Sequence, residues 1–159
     1  MIKISKLTDY AVVTLSIMAG YQDDKLSAAQ IAEQSSVPEP TTSKILKMLS
    51  KTDIVESIRG VHGGYRLKVK PGELPLSRII EAIEGPIALT ACVSGSNDEC
   101  AMSKGCSMNG RWTPVNQAVK AAFESITLKD MMGTSCGFKG ADHAKDVVVV
   151  QSVEMTMQS

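Results

Sequence analysis

The sequence predicts a mainly α-helical chain that carries one small β-hairpin. Three observations point to it. Apolar residues recur at intervals of three and four in several separate stretches, the spacing of a helix face. Tyr65, Leu67 and Val69 alternate with Arg66, Lys68 and Lys70, the pattern of a half-buried strand. Between them and a strand-like run from Ile54 to Ile58 lies Arg59-Gly60-Val61-His62-Gly63-Gly64, whose glycines permit a turn with positive φ.

The elements follow in order. Thr8 is expected to cap a first helix, with Asp9 in its first turn and Tyr10, Val13 and Ile17 on one face. Ser27-Ala28-Ala29-Gln30 is a capping-box pattern that opens a short second helix through Ile31 and Ala32. Val37-Pro38 ends that helix, and Pro40 suits the first position of a third. The third helix turns Ile45, Leu46 and Leu49 inward and leaves Thr41, Thr42, Lys44, Lys47 and Lys51 largely outward. Two short helices joined by a tight turn, then a glycine-tipped hairpin, make a winged helix-turn-helix.

Beyond the hairpin, Leu76, Ile79, Ile80 and Ile83 form an amphipathic helix stopped by Gly85-Pro86. A loop from Thr90 to Gly110 holds Cys92, Cys100 and Cys106, three of the four cysteines. A longer helix then presents Trp112, Val115, Val119, Phe123 and Ile126 at spacings of 3, 4, 4 and 3. That stripe, remote from the winged-helix core, asks for a second copy of itself, so Trp112, Val115, Val119 and Phe123 are the expected homodimer contacts. The expected organisation is a winged-helix domain over 1–85, a cysteine loop over 86–110, a C-terminal dimerisation helix over 111–132 and a flexible tail over 133–159.

Charge identifies the partner. The chain has 17 basic and 17 acidic residues among 159, for a net charge of zero, which at first argues against nucleic acid. The charges are unevenly spread. From Thr41 to Lys70 seven basic residues face only Asp53 and Glu56, a net of +5, so the rest of the chain sums to −5. The excess falls on the third helix and the wing, where a winged helix meets double-stranded DNA and neutralises phosphates. Thr41, Thr42, Ser43 and Lys44 stand where side chains reach base edges, and Lys47 and Lys51 where they reach phosphates. Arg59 and His62 at the wing tip are placed for a narrow minor groove, although His62 equally suits a solvated loop. Gly63, Gly64 and Arg66 complete the DNA-facing set.

Other classes are excluded on simple grounds. The start of the chain has no signal-peptide apolar stretch. The longest aliphatic run, Val147 to Val150, is too short to cross a bilayer. The expected location is the cytoplasm, with no membrane partner. No acid–base constellation or nucleotide loop suggests an enzyme or a small-molecule substrate.

In a reducing compartment, clustered cysteines bind metal, do redox chemistry or remain thiols. Gaps of seven and five residues lack the close pairs usual for zinc, and one loop with such spacing can wrap a larger iron–sulfur cluster. Three thiolates leave a position for Asp9, Cys136, His143, Asp98 or Glu99.

Several motifs carry a family resemblance. They are Lys6-Leu7-Thr8-Asp9-Tyr10-Ala11, Ile31-Ala32-Glu33, the run from Ser57 to Leu67, Ile79 to Pro86, Ile87 to Cys92, and Trp112 to Val119. From Met1 to about Met131 the chain resembles the Rrf-two family of winged-helix iron–sulfur regulators, which includes the IscR and NsrR types. The last two motifs look most like its SUF-system branch. The resemblance implies a homodimer on operator DNA, with Cys92, Cys100 and Cys106 holding an iron–sulfur cluster of the 2Fe–2S or 4Fe–4S type. Some members take the fourth ligand from a histidine just after the third cysteine, others from a first-helix aspartate of the partner subunit. Here Asn109 and Gly110 follow Cys106, and Asp9 matches the aspartate position. The implied function is a cluster-sensing repressor of Fe–S assembly genes. The alternative is a thiol-redox or zinc-dependent DNA-binding switch with the same cysteines.

Overall fold

Helix α1 (Lys6–Ala19) starts one turn before the expected cap, because Ser5 and not Thr8 closes its N-terminus. The Ser5 hydroxyl accepts from the Thr8 backbone N–H at 3.2 Å. That leaves the Thr8 side chain, itself buried, free to donate to the Glu84 carboxylate, which also accepts the Ser5 N–H at 3.2 Å. The computed structural model describes residues 3–21, 24–60, 63–93, 95–96, 100–102 and 105–133. Expectations for His62, Asp98, Glu99, Cys136, His143 and the tail lie outside the described residues, except that Gly133 ends the described chain.

Helix α1 packs against α2 (Ala28–Ser35), α3 (Glu39–Leu49), α4 (Leu76–Glu84) and α6 (Leu128–Met132). Its buried surface is correspondingly wide: Ala11, Thr14, Leu15, Ile17 and Met18 are inside, whereas Tyr10 and Val13 are half-buried. Small side chains at 11 and 14 allow neighbours to approach from two directions. The expected Tyr10–Val13–Ile17 face was therefore only one margin of a broader one.

The capping box at Ser27 and Gln30 starts α2 as expected. Ser36 takes a left-handed conformation at φ 57° and turns the chain toward α3. Ile45, Leu46 and Leu49 of α3 are completely buried beside Leu15 and Ile31. Strands β1 (Val55–Ile58) and β2 (Gly64–Leu67) pair antiparallel, with Val55 opposite Leu67 and Glu56 opposite Arg66. Leu26 closes the other edge of β2 through hydrogen bonds of 3.0 and 2.8 Å with Tyr65. That contact explains Gly64, where a Cβ would sit 2.9 Å from the Leu26 carbonyl oxygen. A 3-10 turn at Pro71–Glu73 leads into α4.

The C-terminal part differs from the expected continuous helix over 111–132. Helix α5 (Thr113–Ser125) stops at Ile126, which is extended, and Thr127 caps a separate α6 through a capping box with Asp130. The break has a physical cause. Leu76 N–H donates to the Ile126 carbonyl at 2.9 Å, and Leu128 N–H to the Leu74 carbonyl at 2.8 Å, which no helix through 126–128 could supply. Leu128 thereby becomes completely buried, and Phe123 and Met132 pack against the same core. The stripe is split: Val119 and Phe123 lie half-buried on their own subunit, while Trp112 and Val115 remain 42% and 45% exposed.

If α6 belongs to the winged-helix core, Leu128→Ala should cost roughly 2–5 kcal/mol in urea unfolding, within a single transition followed by circular dichroism. The Glu84 carboxyl lies below its ordinary 4.5, chiefly because the Thr8 hydroxyl donates to its charged form, with Ser5 assisting against partial desolvation. Such a lowered group stabilises the fold above its unfolded pKa and loses that contribution as pH falls through the folded value. The urea-midpoint gap between the native chain and Glu84→Gln should therefore narrow between about pH 6 and about pH 3.

Candidate nucleic-acid interface and cysteine loop

Pro38 precedes the first residue of α3 and Pro40 lies in its first turn, which projects the following residues from the turn after α2. Thr41 and Ser43 are half-buried, and Lys44, Lys47 and Lys51 are exposed. Thr42 is not among them. It is completely buried, and its hydroxyl donates to the carbonyls of Val37 and Pro38 at 3.4 and 3.3 Å. Position 42 precedes Ile45 and Leu46 by three and four residues, so it shares their inward face. It fixes the α2–α3 turn and does not face outward with Thr41 and Lys44.

The wing supplies the second arm. Arg59 is exposed, and Gly60 takes a φ of 115° and accepts the Gly63 N–H at 2.9 Å. A Cβ at Gly63 would collide with the Ile58 carbonyl oxygen, so this tight turn requires glycine there. Arg66 and Lys68 lie on the exposed side of β2 and its extension, and each meets an acid: Arg66 with Glu56 at 2.7 Å and Lys68 with Asp53 at 3.4 Å. Lys70 lies 4.0 Å from Glu73. Among the described residues Lys44, Lys47, Lys51 and Arg59 form no ion pair.

The cysteine loop hangs between α4 and α5. Its root is held by Asn116, a buried side chain on α5 whose Oδ1 accepts the Leu89 N–H at 2.9 Å and whose Nδ2 donates to the Ile87 carbonyl at 3.0 Å. Beside it Lys120 bonds Glu81 of α4 at 2.9 Å, and Val93 is buried. Cys92, Cys100 and Cys106 are half-buried free thiols. The Cys92 sulfur lies 3.3 Å from the Thr90 hydroxyl. That contact first, and the Gly110 N–H second, hold its thiol below the usual range, which favours the thiolate that binds metal. In kind, then, the donors fit a thiolate-held cluster. In arrangement the loop is open, since no group of three Cys, His, Asp or Glu is gathered among the described residues. Asp9 is exposed on α1 and is not gathered with the cysteines.

Asn116 and the Thr8–Glu84 contact were the features that sequence reading passed over. An asparagine among Val115, Val119 and Phe123 was the available signal for the first, because a polar residue on a packing face needs buried partners.

Residues 4–134 match a family described as Rrf2, iron-dependent transcriptional regulator. The chain belongs to the Rrf2 family. An NsrR-type transcriptional regulator of Geobacillus kaustophilus is 28% identical over 131 residues, 82% of this chain and 89% of that one. A putative rrf2-like regulator of Rhodobacter capsulatus is 33% identical over 111 residues, 67% of this chain and 74% of that one. Among solved structures, the global cysteine regulator CymR of B. subtilis superposes with a TM-score of 0.62 at 28% identity, covering 83% of this chain and 97% of CymR. IscR of T. potens gives 0.60 at 25% identity, covering 87% and 94%. This Rrf2 chain is accordingly a DNA-binding winged-helix transcription regulator, and its relatives are regulators rather than enzymes. Among the described residues no helix is long and apolar enough to cross a membrane.

Lys47→Ala should lower the slope of log affinity against log salt by about one, as expected when one phosphate contact is lost. Thr42→Val should leave that slope unchanged and cost about 1 kcal/mol of stability. Fluorescence anisotropy on duplex DNA and urea unfolding read the two effects separately.

Proposed function

We propose that this Rrf2 regulator is a cytoplasmic, iron–sulfur-cluster-sensing repressor that binds operator DNA as a homodimer and controls suf-type Fe–S assembly genes. Cys92, Cys100 and Cys106 hold the cluster, and Asp9 of the first helix supplies the fourth position from the partner subunit. The observation that carries the reading is the loop itself: three thiols on one segment whose root Asn116 pins to α5, with α5 packed on α4 and α4 on α1 and α3. A change in the loop thus has a packed route to α3. Binding a cluster shifts DNA affinity only as far as the cluster prefers one arrangement of the two reading heads over the other. The assignment to suf-type genes rests on the SUF-branch motifs at Ile87–Cys92 and Trp112–Val119. The exposed Trp112 and Val115, with Val119 and Phe123 behind them, are the proposed subunit contacts.

A second reading, a thiol-redox or zinc-dependent switch without a cluster, is favoured by the open arrangement of the loop.

Anaerobic reconstitution with iron and sulfide separates the two. The sensor reading expects a coloured protein with bound iron and acid-labile sulfide. Each of Cys92→Ala, Cys100→Ala and Cys106→Ala should abolish stable loading, whereas Cys136→Ala should not, and Asp9→Ala should alter the spectrum or speed cluster loss. A protein that stays colourless while binding zinc, or forming a disulfide that changes DNA affinity, would establish the second reading instead.

A further inference from the structure

The two acids of the Thr41–Lys70 window stand in a particular place. Between Thr41 and Lys70 only Asp53 and Glu56 are acidic, and both are engaged by basic residues of the wing. The antiparallel register sets Glu56 directly across from Arg66, whose Nη2 donates to Glu56 Oε2 at 2.7 Å. Lys68 Nζ reaches Asp53 Oδ1 at 3.4 Å. Both carboxylates line a cleft of about 570 Å³ between the end of α3 and the hairpin, together with Lys51, Ser57, Arg59 and Lys68.

The Arg66–Glu56 pair has little to do for the fold. Its side chains are 45% and 44% exposed, and ion pairs so open to solvent add little to stability. The buried Val55–Leu67 pair and the Leu26 edge already hold the hairpin in register. Its consequence falls on DNA. A carboxylate and a backbone phosphate each offer a guanidinium two acceptor oxygens on one central atom, so they compete for the same donors. An arginine already neutralised by its own chain releases no counterion when DNA arrives, so it adds nothing to the salt-dependent, sequence-independent part of binding.

We propose that Glu56 is a built-in counter-anion that withholds Arg66 from the DNA backbone and so keeps the affinity for non-operator DNA low. Asp53 does the same more weakly for Lys68, across a longer contact with a side chain 88% exposed. The +5 window therefore meets random DNA chiefly through Lys44, Lys47, Lys51 and Arg59. The proposal rests on α3 and the hairpin being the DNA-facing surface.

The test is anisotropy titration of the full-length protein on a random-sequence duplex across a salt series. Glu56→Gln should steepen the log–log salt slope by about one and raise affinity by up to about eightfold at about 0.1 M salt. Asp53→Asn should give a smaller gain. In an Arg66→Ala background Glu56→Gln should gain nothing, since no guanidinium is left to release. An unchanged slope for Glu56→Gln, or a gain that survives Arg66→Ala, overturns the proposal, the latter because it marks a general effect of net charge. Lys47→Ala and Arg59→Ala distinguish the two possible failures. If neither lowers the slope, the DNA-facing reading itself falls; if they do while Glu56→Gln does not raise it, only the counter-anion role is refuted. Matching urea midpoints establish that the variants are folded.

Discussion

Helix α1 is the member around which the rest is arranged. It touches α2 and α3 of the reading head, β2, α4 and α6, and the small buried residues Ala11 and Thr14 make that crowding possible. Its N-terminus is tied to the end of α4, where Thr8 and Ser5 converge on the Glu84 carboxylate. Glu84 immediately precedes Gly85-Pro86, the start of the segment that becomes the cysteine loop. One helix thus borders both the elements of the candidate DNA interface and the entry to the cysteine loop.

The charge distribution shows why global net charge is a poor guide to function. A chain with a formal sum of zero presents exposed Lys44, Lys47, Lys51 and Arg59, without ion pairs among the described residues, along one helix and a hairpin. It sets Asp53 and Glu56, the acids between Thr41 and Lys70, against the wing's Lys68 and Arg66. Field strength at the surface depends on such placement, since exposed charges farther apart than about 10 Å are largely screened at 0.1 M salt.

The cysteine loop has a contrasting character. Its root is rigid, held by the two hydrogen bonds of Asn116 and the Lys120–Glu81 bridge. The described parts of its interior are turns and irregular chain whose residues, Val93 apart, are exposed or half-buried. A loop fixed at its base and open at its thiols would suit the proposed cluster, which would organise it on binding, with the lowered Cys92 thiol as a first donor.

Much of this was legible in the residues alone. The winged helix-turn-helix followed from capping signals, proline positions and strand alternation, which are local properties that neighbouring side chains dictate. The basic window and the three-cysteine loop were equally readable, because charge and thiol content need no fold to be counted. Even the inward turn of Thr42 was available from its spacing to Ile45 and Leu46. What the tertiary structure alone decided were the long-range pairings. The helix expected over 111–132 breaks at Ile126 because Leu74 and Leu76, some fifty residues earlier in the chain, claim its backbone hydrogen bonds. Ser5 rather than Thr8 caps α1, and the Thr8 hydroxyl, left inside the first turn, finds its partner in Glu84. Asn116 becomes a clamp because Ile87 and Leu89 arrive beside it. In each case periodicity reports which face a residue presents, but only the folded chain supplies the partner that face meets.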